Sequence, residues 1–195
     1  MSDRTVQAKS ELRRALRAEL AKAHPDELRA ASARLAQHLH AFAPLGAARG
    51  LLAFAPTAHE PDITPVVTTH LARGAHVCVP SIDWSGGTMS PALVSDWNAD
   101  LVTGRHSLRE PRPDLPAGDL SRIDVILVPG IGFDRRGHRL GRGAGYYDRF
   151  LSRVPRSVTL VGVCFDRQIT DQIPTDSHDL PVHWLASESG VIRCA

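Results

Sequence analysis

Cysteine is scarce and scattered. Cys78, Cys164 and Cys194 are the only three in 195 residues. An odd number at such distances gives neither a disulfide framework nor a CxxC metal pair, so a reducing, cytoplasmic setting is the natural reading. Lysine is nearly absent: Lys9 and Lys22 stand alone, and every other basic side chain is arginine. No apolar run approaches the ~20 residues that span a bilayer. The opening MSDRTVQAKSELRR lacks the apolar stretch of a secretory signal. A net charge of only +2 falls short of the basic excess of a nucleic-acid-binding domain. What is present is ordinary for a folded chain: 43% hydrophobic and 23% charged residues exclude disorder.

The apolar pattern alternates between helix and strand. Leu12, Leu16 and Leu20 recur at i, i+4, i+8 within residues 5–23, and Pro25 breaks the run. Asp26 is the expected cap of a second helix reaching about Phe42, with Pro44 and Gly46 as punctuation. Strands are expected at 50–55, 77–80, 123–128, 157–164, 182–185 and 191–193, and helices at 62–73 and from Gly145 to about Val154. The run IDVILV, ending at Val128, reads as a central strand. Residues 81–118 read as short antiparallel strands and loops. The alternation predicts one α/β domain over 1–195, three-layer α/β/α with a mostly parallel sheet. Ligands in such sheets bind beyond the carboxyl ends of the strands, where the loops after Ala55, Val128 and Cys164 are expected to gather.

The segment from Asp134 to Asp148 carries the chemistry. It holds Arg135, Arg136, Arg139 and Arg142, then Gly141, Gly143 and Gly145 directly before a helix. Glycines let backbone N–H groups turn toward a ligand, and arginine presents planar forked donors to phosphate or carboxylate oxygens. The pattern suggests a polyphosphate cradle, with Asp148 placed to hold a divalent cation. It matches neither a Walker loop nor a dinucleotide fingerprint. A solvated basic loop competes with this reading, but four arginines within eight residues repel one another unless anions sit among them. Lys9 and Arg13, at i, i+4, share one helix face. A bound phosphate would reverse the cost of this like-charged pair, but on the pattern alone the better reading is a wet face relieved by Glu11 and Glu19. His38 and His40, at i, i+2, face apart and suggest no metal site. Trp84 and Trp97 are expected to pack, and Cys164 to be buried in the core.

Four pieces lie in order along the chain: KSELR, EPDIT, VPGIGFDRRGHRLGRGAGYYDRF and IPTDSHD. Together they resemble the 5-formyltetrahydrofolate cyclo-ligase family, the 5,10-methenyltetrahydrofolate synthetases. The resemblance spans Lys9 to Asp179, and the piece from Pro129 to Asp148 is the specific one. It implies a fold like that of sugar-phosphate isomerases and CoA transferases. It also implies an ATP- and Mg²⁺-dependent ring closure acting on small molecules, by a monomer that engages no nucleic acid and no membrane. ATP is implied to meet Lys9, Arg13, Arg139, Leu140, Gly141, Arg142, Gly143, Ala144, Gly145, Tyr146 and Tyr147. The folate is implied to meet Ala55, Glu60, Arg142, Gly143, Ala144, Gly145 and Tyr146. Catalysis falls on Lys9, Arg142 and Tyr146, and Mg²⁺ on Asp148 and Asp179, with His178 beside the latter. Family members often carry Lys or Gly where Ala144 stands, and a basic residue where Ser81 stands. A folate- or nucleotide-binding paralogue with altered or lost turnover is the alternative.

Overall fold

The computed structural model describes residues 3–105, 108–176 and 179–195. Helix α1 (Asp3–Leu20) buries Leu16 and Leu20. Helix α2 (Pro25–Ala41) begins differently from the expectation, because its cap is His24. The His24 ring accepts the Asp26 N–H, and Glu27 reaches back to the His24 N–H. This closes a reciprocal capping box two positions earlier than an Asp26 cap would. Pro25 then sits in the first turn, where its missing N–H is no loss. Helix α3 (Ala43–Ala47) is a single turn in place of bare punctuation, again with proline in its first turn.

Strand β1 (Gly50–Leu52) leads through helix α4 (Thr64–Ala72) into β2 (His76–Asp83). Asp62 accepts the Thr64 N–H at 2.9 Å and so marks the start of α4. Strand β3 (Thr88–Leu93) returns against β2 as a hairpin, and β4 (Leu101–Thr103) pairs with β5 (Arg109–Pro111) in a separate ribbon. After β6 (Val125–Pro129) come β7 (Gly132–Asp134), β8 (Arg139–Leu140) and helix α5 (Tyr146–Leu151). Then β9 (Thr159–Val163), β10 (Ile169–Thr170), β11 (Trp184–Ser187) and β12 (Gly190–Arg193) complete the chain.

The main sheet has the order β12-β11-β9-β6-β1-β2-β3, so the IDVILV strand β6 is fourth of seven. The five inner strands run parallel, and each edge strand is antiparallel to its neighbour. Alternate residues feed two cores, as a two-residue period requires. Leu51, Val77, Val125 and Leu127 pack under α2, α3 and α4, while Leu52, Cys78, Ile126 and Val128 face α5. On that second side α5 is short, and a small sheet of order β10-β7-β8 shares the layer with it. Helix α1 lies outside the small sheet, with Leu16 against Leu140 and Ile173. The small sheet docks through Phe133, which is fully buried. A Cβ on Gly162 would lie 2.6 Å from the Phe133 ring, so β9 needs a glycine opposite it. Burying such a side chain contributes roughly 2–3 kcal/mol.

The thiols are structural. Cys164 is buried as expected, and burial pushes the Cys78 thiol up to about 12 and Cys194 up to about 11. No helix among the described residues is long and apolar enough to cross a membrane.

Candidate active site

A cleft of about 450 Å³ opens beyond the carboxyl ends of β1 and β6. Lys9, Arg13, Ala55, Glu60, every residue from 139 to 148, and Asp179 all line it. All the sequence-predicted site residues are therefore brought together. One neighbouring expectation fails. The loop after Cys164 contributes no lining residue; its Gln168 instead donates to the carbonyls of Gly130 and Ile131 and fixes the loop after β6 from behind. Ser81, where family members often carry a basic residue, does not line the cleft, because β2 alternates and presents Pro80 and Ile82.

One end of the cleft is charged. Lys9 is 7% exposed, far from a wet helix face. Its Nζ donates to Asp179 at 2.6 Å and to Asp176 at 3.0 Å. Burial works against the Lys9 charge, but these two carboxylates outweigh it and hold its pKa above the ordinary value. The same bond, with the Asp176 N–H, overcomes burial at Asp179 and holds that carboxyl below its usual range. Arg13 Nε donates to the Gly141 carbonyl at 2.8 Å, fastening α1 to the glycine-rich loop. Arg139, 5% exposed at its side chain, meets Asp148 at 2.5 Å and lies over the Tyr147 ring. Arg142 crosses the cleft to Glu60 at 3.0 Å.

The expected repulsion among four arginines does not arise. Arg135 and Arg136 do not line the cleft, Arg136 lies 3.6 Å from Asp134, and Arg139 and Arg142 each have a carboxylate partner. Asp134 and Asp148 belong to the same run, and Glu60 comes from the loop after β1.

The other end is apolar and aromatic. Ile82, Trp84 and Met89 from the β2–β3 hairpin face Tyr146, with the Trp84 and Tyr146 rings edge to face at 5.7 Å. Sequence reasoning expected packing of both Trp84 and Trp97. Trp97 does pack, 2% exposed with its indole donating to Thr64, but Trp84 is a cleft wall held by Glu110 at 3.2 Å. The short antiparallel strands expected over 81–118 are present as β3 and the β4–β5 ribbon, but the pairing that sets Glu110 beside Trp84 is not written in the sequence. Between the two ends stands Tyr147. Its hydroxyl is buried with no partner among the described residues, as is Arg139 Nε. Burial and the Glu60 charge push the Tyr147 pKa up, so it stays a neutral O–H donor. The chain enters α5 through Gly145 at φ +68°, a left-handed conformation that costs a residue with a Cβ roughly 1–2 kcal/mol.

Asp134 is an unpredicted support. Fully buried, it accepts from the Arg136 and His138 N–H groups, from His138 Nδ1, and from the Ile173 N–H at 3.0 Å. It thereby ties the β7–β8 turn, which leads to Arg139, to the segment leading to Asp176 and Asp179. Burial alone would raise its pKa, but the Ile173 and His138 bonds hold it below the carboxylate range. A depressed carboxyl stabilises fully above its unfolded value near ~4, and the gain is lost as pH falls through the folded value. Asp134→Asn is expected to cost about 2 kcal/mol in urea unfolding at pH 7. The gap should narrow toward pH 3; a gap independent of pH would count against this ionisation.

Asp148 and Asp179 suit a hard divalent cation, which takes a few carboxylate oxygens beside phosphate and water. Both already face a positive charge, Arg139 and Lys9 respectively. No group of three His, Cys, Asp or Glu converges for a metal among the described residues, and His178 lies outside them.

The fold and cleft define a small α/β enzyme with an arginine- and glycine-rich loop set against an aromatic wall. Residues 5–187 match the 5-formyltetrahydrofolate cyclo-ligase family, and the chain belongs to that family, whose members are ligases. A Mycolicibacterium smegmatis 5-formyltetrahydrofolate cyclo-ligase is 36% identical over 148 residues, 74% of this chain and 76% of that one. The Escherichia coli K12 protein of the same name is 28% identical over 86% of this chain and 93% of its own. The solution structure of Aquifex aeolicus 5,10-methenyltetrahydrofolate synthetase superposes with a TM-score of 0.82 at 31% identity, covering 95% of this chain and 92% of that one. A Mycoplasma pneumoniae synthetase, at 18% identity, shares the fold with a TM-score of 0.72 over 92% of this chain and 98% of its own.

Proposed function

We propose that the cleft binds 5-formyltetrahydrofolate and ATP with Mg²⁺ and closes the ring to 5,10-methenyltetrahydrofolate, releasing ADP and phosphate. The observation that carries this reading is the division of one cleft into a charged end and an aromatic end, with residues 139–148 running between them. The whole chain acts as one unit, a cytoplasmic monomer on small molecules, without nucleic acid or membrane.

The chemistry explains why such a site suffices. An N-formyl carbon is a sluggish electrophile and its oxygen a poor leaving group. Transfer of the γ-phosphoryl group to that oxygen gives an iminium phosphate; N10 attacks the carbon and loses its proton to solvent, and the C–O bond breaks to release phosphate. Phosphoryl transfer needs positioning and charge neutralisation rather than a protein nucleophile. Lys9, Arg13, Arg139 and Arg142 supply the positive charge, and the 141–145 backbone shapes the cradle. Glu60 and the Trp84–Tyr146 wall orient the folate beside it, with Ala55 alongside. Tyr147 offers its unpartnered hydroxyl as a donor. Asp148 and Asp179 would hold Mg²⁺, which supplies charge neutralisation on the phosphates.

The test is product absorbance in the near ultraviolet, with ATP and Mg²⁺ present or omitted. A rise needing both supports the reading. A flat trace from folded protein that still binds either ligand would favour a binding paralogue. In the same assay Arg142→Ala should lower turnover about tenfold, the scale of one charge-assisted contact. Unchanged kinetics would remove Arg142 from the cradle.

A further inference from the structure

The two ends of the cleft are joined by a residue that the chemistry above does not use. Arg149, exposed on the outer side of α5, sends Nη1 to the Ala144 carbonyl at 3.1 Å and Nη2 to the Gly87 carbonyl at 2.8 Å. Ala144 belongs to the glycine-rich loop. Gly87 closes the turn of the β2–β3 hairpin, which carries Trp84. The same guanidinium lies 5.2 Å from the centre of the Tyr146 ring, and Tyr146 meets Trp84 edge to face at 5.7 Å. The hairpin turn is therefore held directly at Gly87, and at Trp84 through the Tyr146 ring. The turn is itself stiff, because Asp83 accepts the N–H groups of Ser85 and Gly86 at 3.0 and 2.9 Å.

A guanidinium can satisfy two carbonyls at fixed separation, which a lysine ammonium on a flexible stem does not reproduce. Any ligand that orders the loop at Ala144 also fixes Arg149, and through it the position of Gly87 and the aromatic wall. The converse follows for a ligand ordering the hairpin. We propose that Arg149 is a positioning residue that couples the two binding events, so that nucleotide and folate each tighten the other's binding. The proposal rests on the two-ligand reading above. By linkage the tightening is equal in both directions.

The test is a binding cycle by titration calorimetry. It uses 5-formyltetrahydrofolate and the β,γ-imido analogue of ATP with Mg²⁺, each titrated with the other absent or saturating. In the wild-type protein the second ligand should bind about tenfold tighter than the first alone, within the usual range of coupling. In Arg149→Met the ratio should fall to about twofold or less, with each ligand's separate affinity little changed. Arg149→Lys keeps the charge and one carbonyl contact, and it should lose most of the coupling while folding normally. It decides the matter if the methionine variant is unfolded. A ratio near one in the wild type, or an undiminished ratio in the lysine variant, overturns the proposal. Failure of the wild type to bind either ligand would instead overturn the reading of the cleft, and this inference with it.

Discussion

Replacing Lys9 by methionine is expected to abolish most turnover, by about 10²–10³-fold, the cost of removing one preorganised charge from a phosphoryl-transfer site. The argument begins with its burial. Lys9 is 7% exposed and is shared by Asp179 and Asp176 at 2.6 and 3.0 Å. Methionine keeps the volume and the helix propensity but leaves two carboxylates facing each other in a half-buried place. Breaking a buried pair from one side typically costs several times what an exposed pair is worth, so a stability loss of about 2–4 kcal/mol should accompany the loss of rate. The pH dependence separates the two effects. Asp179 is depressed, so its share is complete above ~4 and fades as pH falls through the folded value. Lys9 is raised above 10.5, so its share is complete below that pH and fades as pH rises through the folded value. The stability gap between wild type and Lys9→Met should thus be flat between these limits and close outside them. A variant as active as the wild type would return Lys9 to a purely structural role.

Legibility followed how local each signal is. The run from Pro129 to Asp148 could be read because its arginines, glycines and carboxylate are contiguous, and the cleft takes ten consecutive residues from it, 139 to 148. The parallel core could be read because β6 and most of β9 are apolar. What escaped depends on distant partners. Nothing near Lys9 announces Asp176 and Asp179, which lie 167 and 170 residues away. The strands β7, β8 and β10 are two or three residues long and set among glycine and arginine, so no period can develop. Trp84 read as packing because its role is fixed by Glu110, on a strand too short to recognise. His24 is hard to read as a cap because aspartate is the commoner choice, yet its ring nitrogen accepts the Asp26 N–H as a cap oxygen would. Arg136 shows the opposite error. Composition puts it in the cradle, whereas the tight turn after Asp134 carries it away from the cleft.

Asp148→Asn is the sharper probe of the same charged end, because it alters one oxygen and almost no volume. In the wild type Asp148 holds Arg139 at 2.5 Å, and Arg139 is 5% exposed at its side chain. An asparagine carbonyl can still accept from the guanidinium, but it no longer offsets its charge. If Asp148 serves only Arg139, the variant should lose about 1–3 kcal/mol of stability, the range for a charged hydrogen bond, with an unaltered metal titration. If it also holds Mg²⁺, the metal concentration needed for half-maximal turnover should rise at least tenfold, and turnover at saturating metal should fall by about 10². The second outcome is the expected one, because Asp148 lines the cleft with its side chain 30% exposed. A carboxylate satisfied by Arg139 alone could be sealed against it, whereas this one keeps surface open to a second cation. Measuring thermal stability beside the metal titration distinguishes the two, since only the metal role moves the titration.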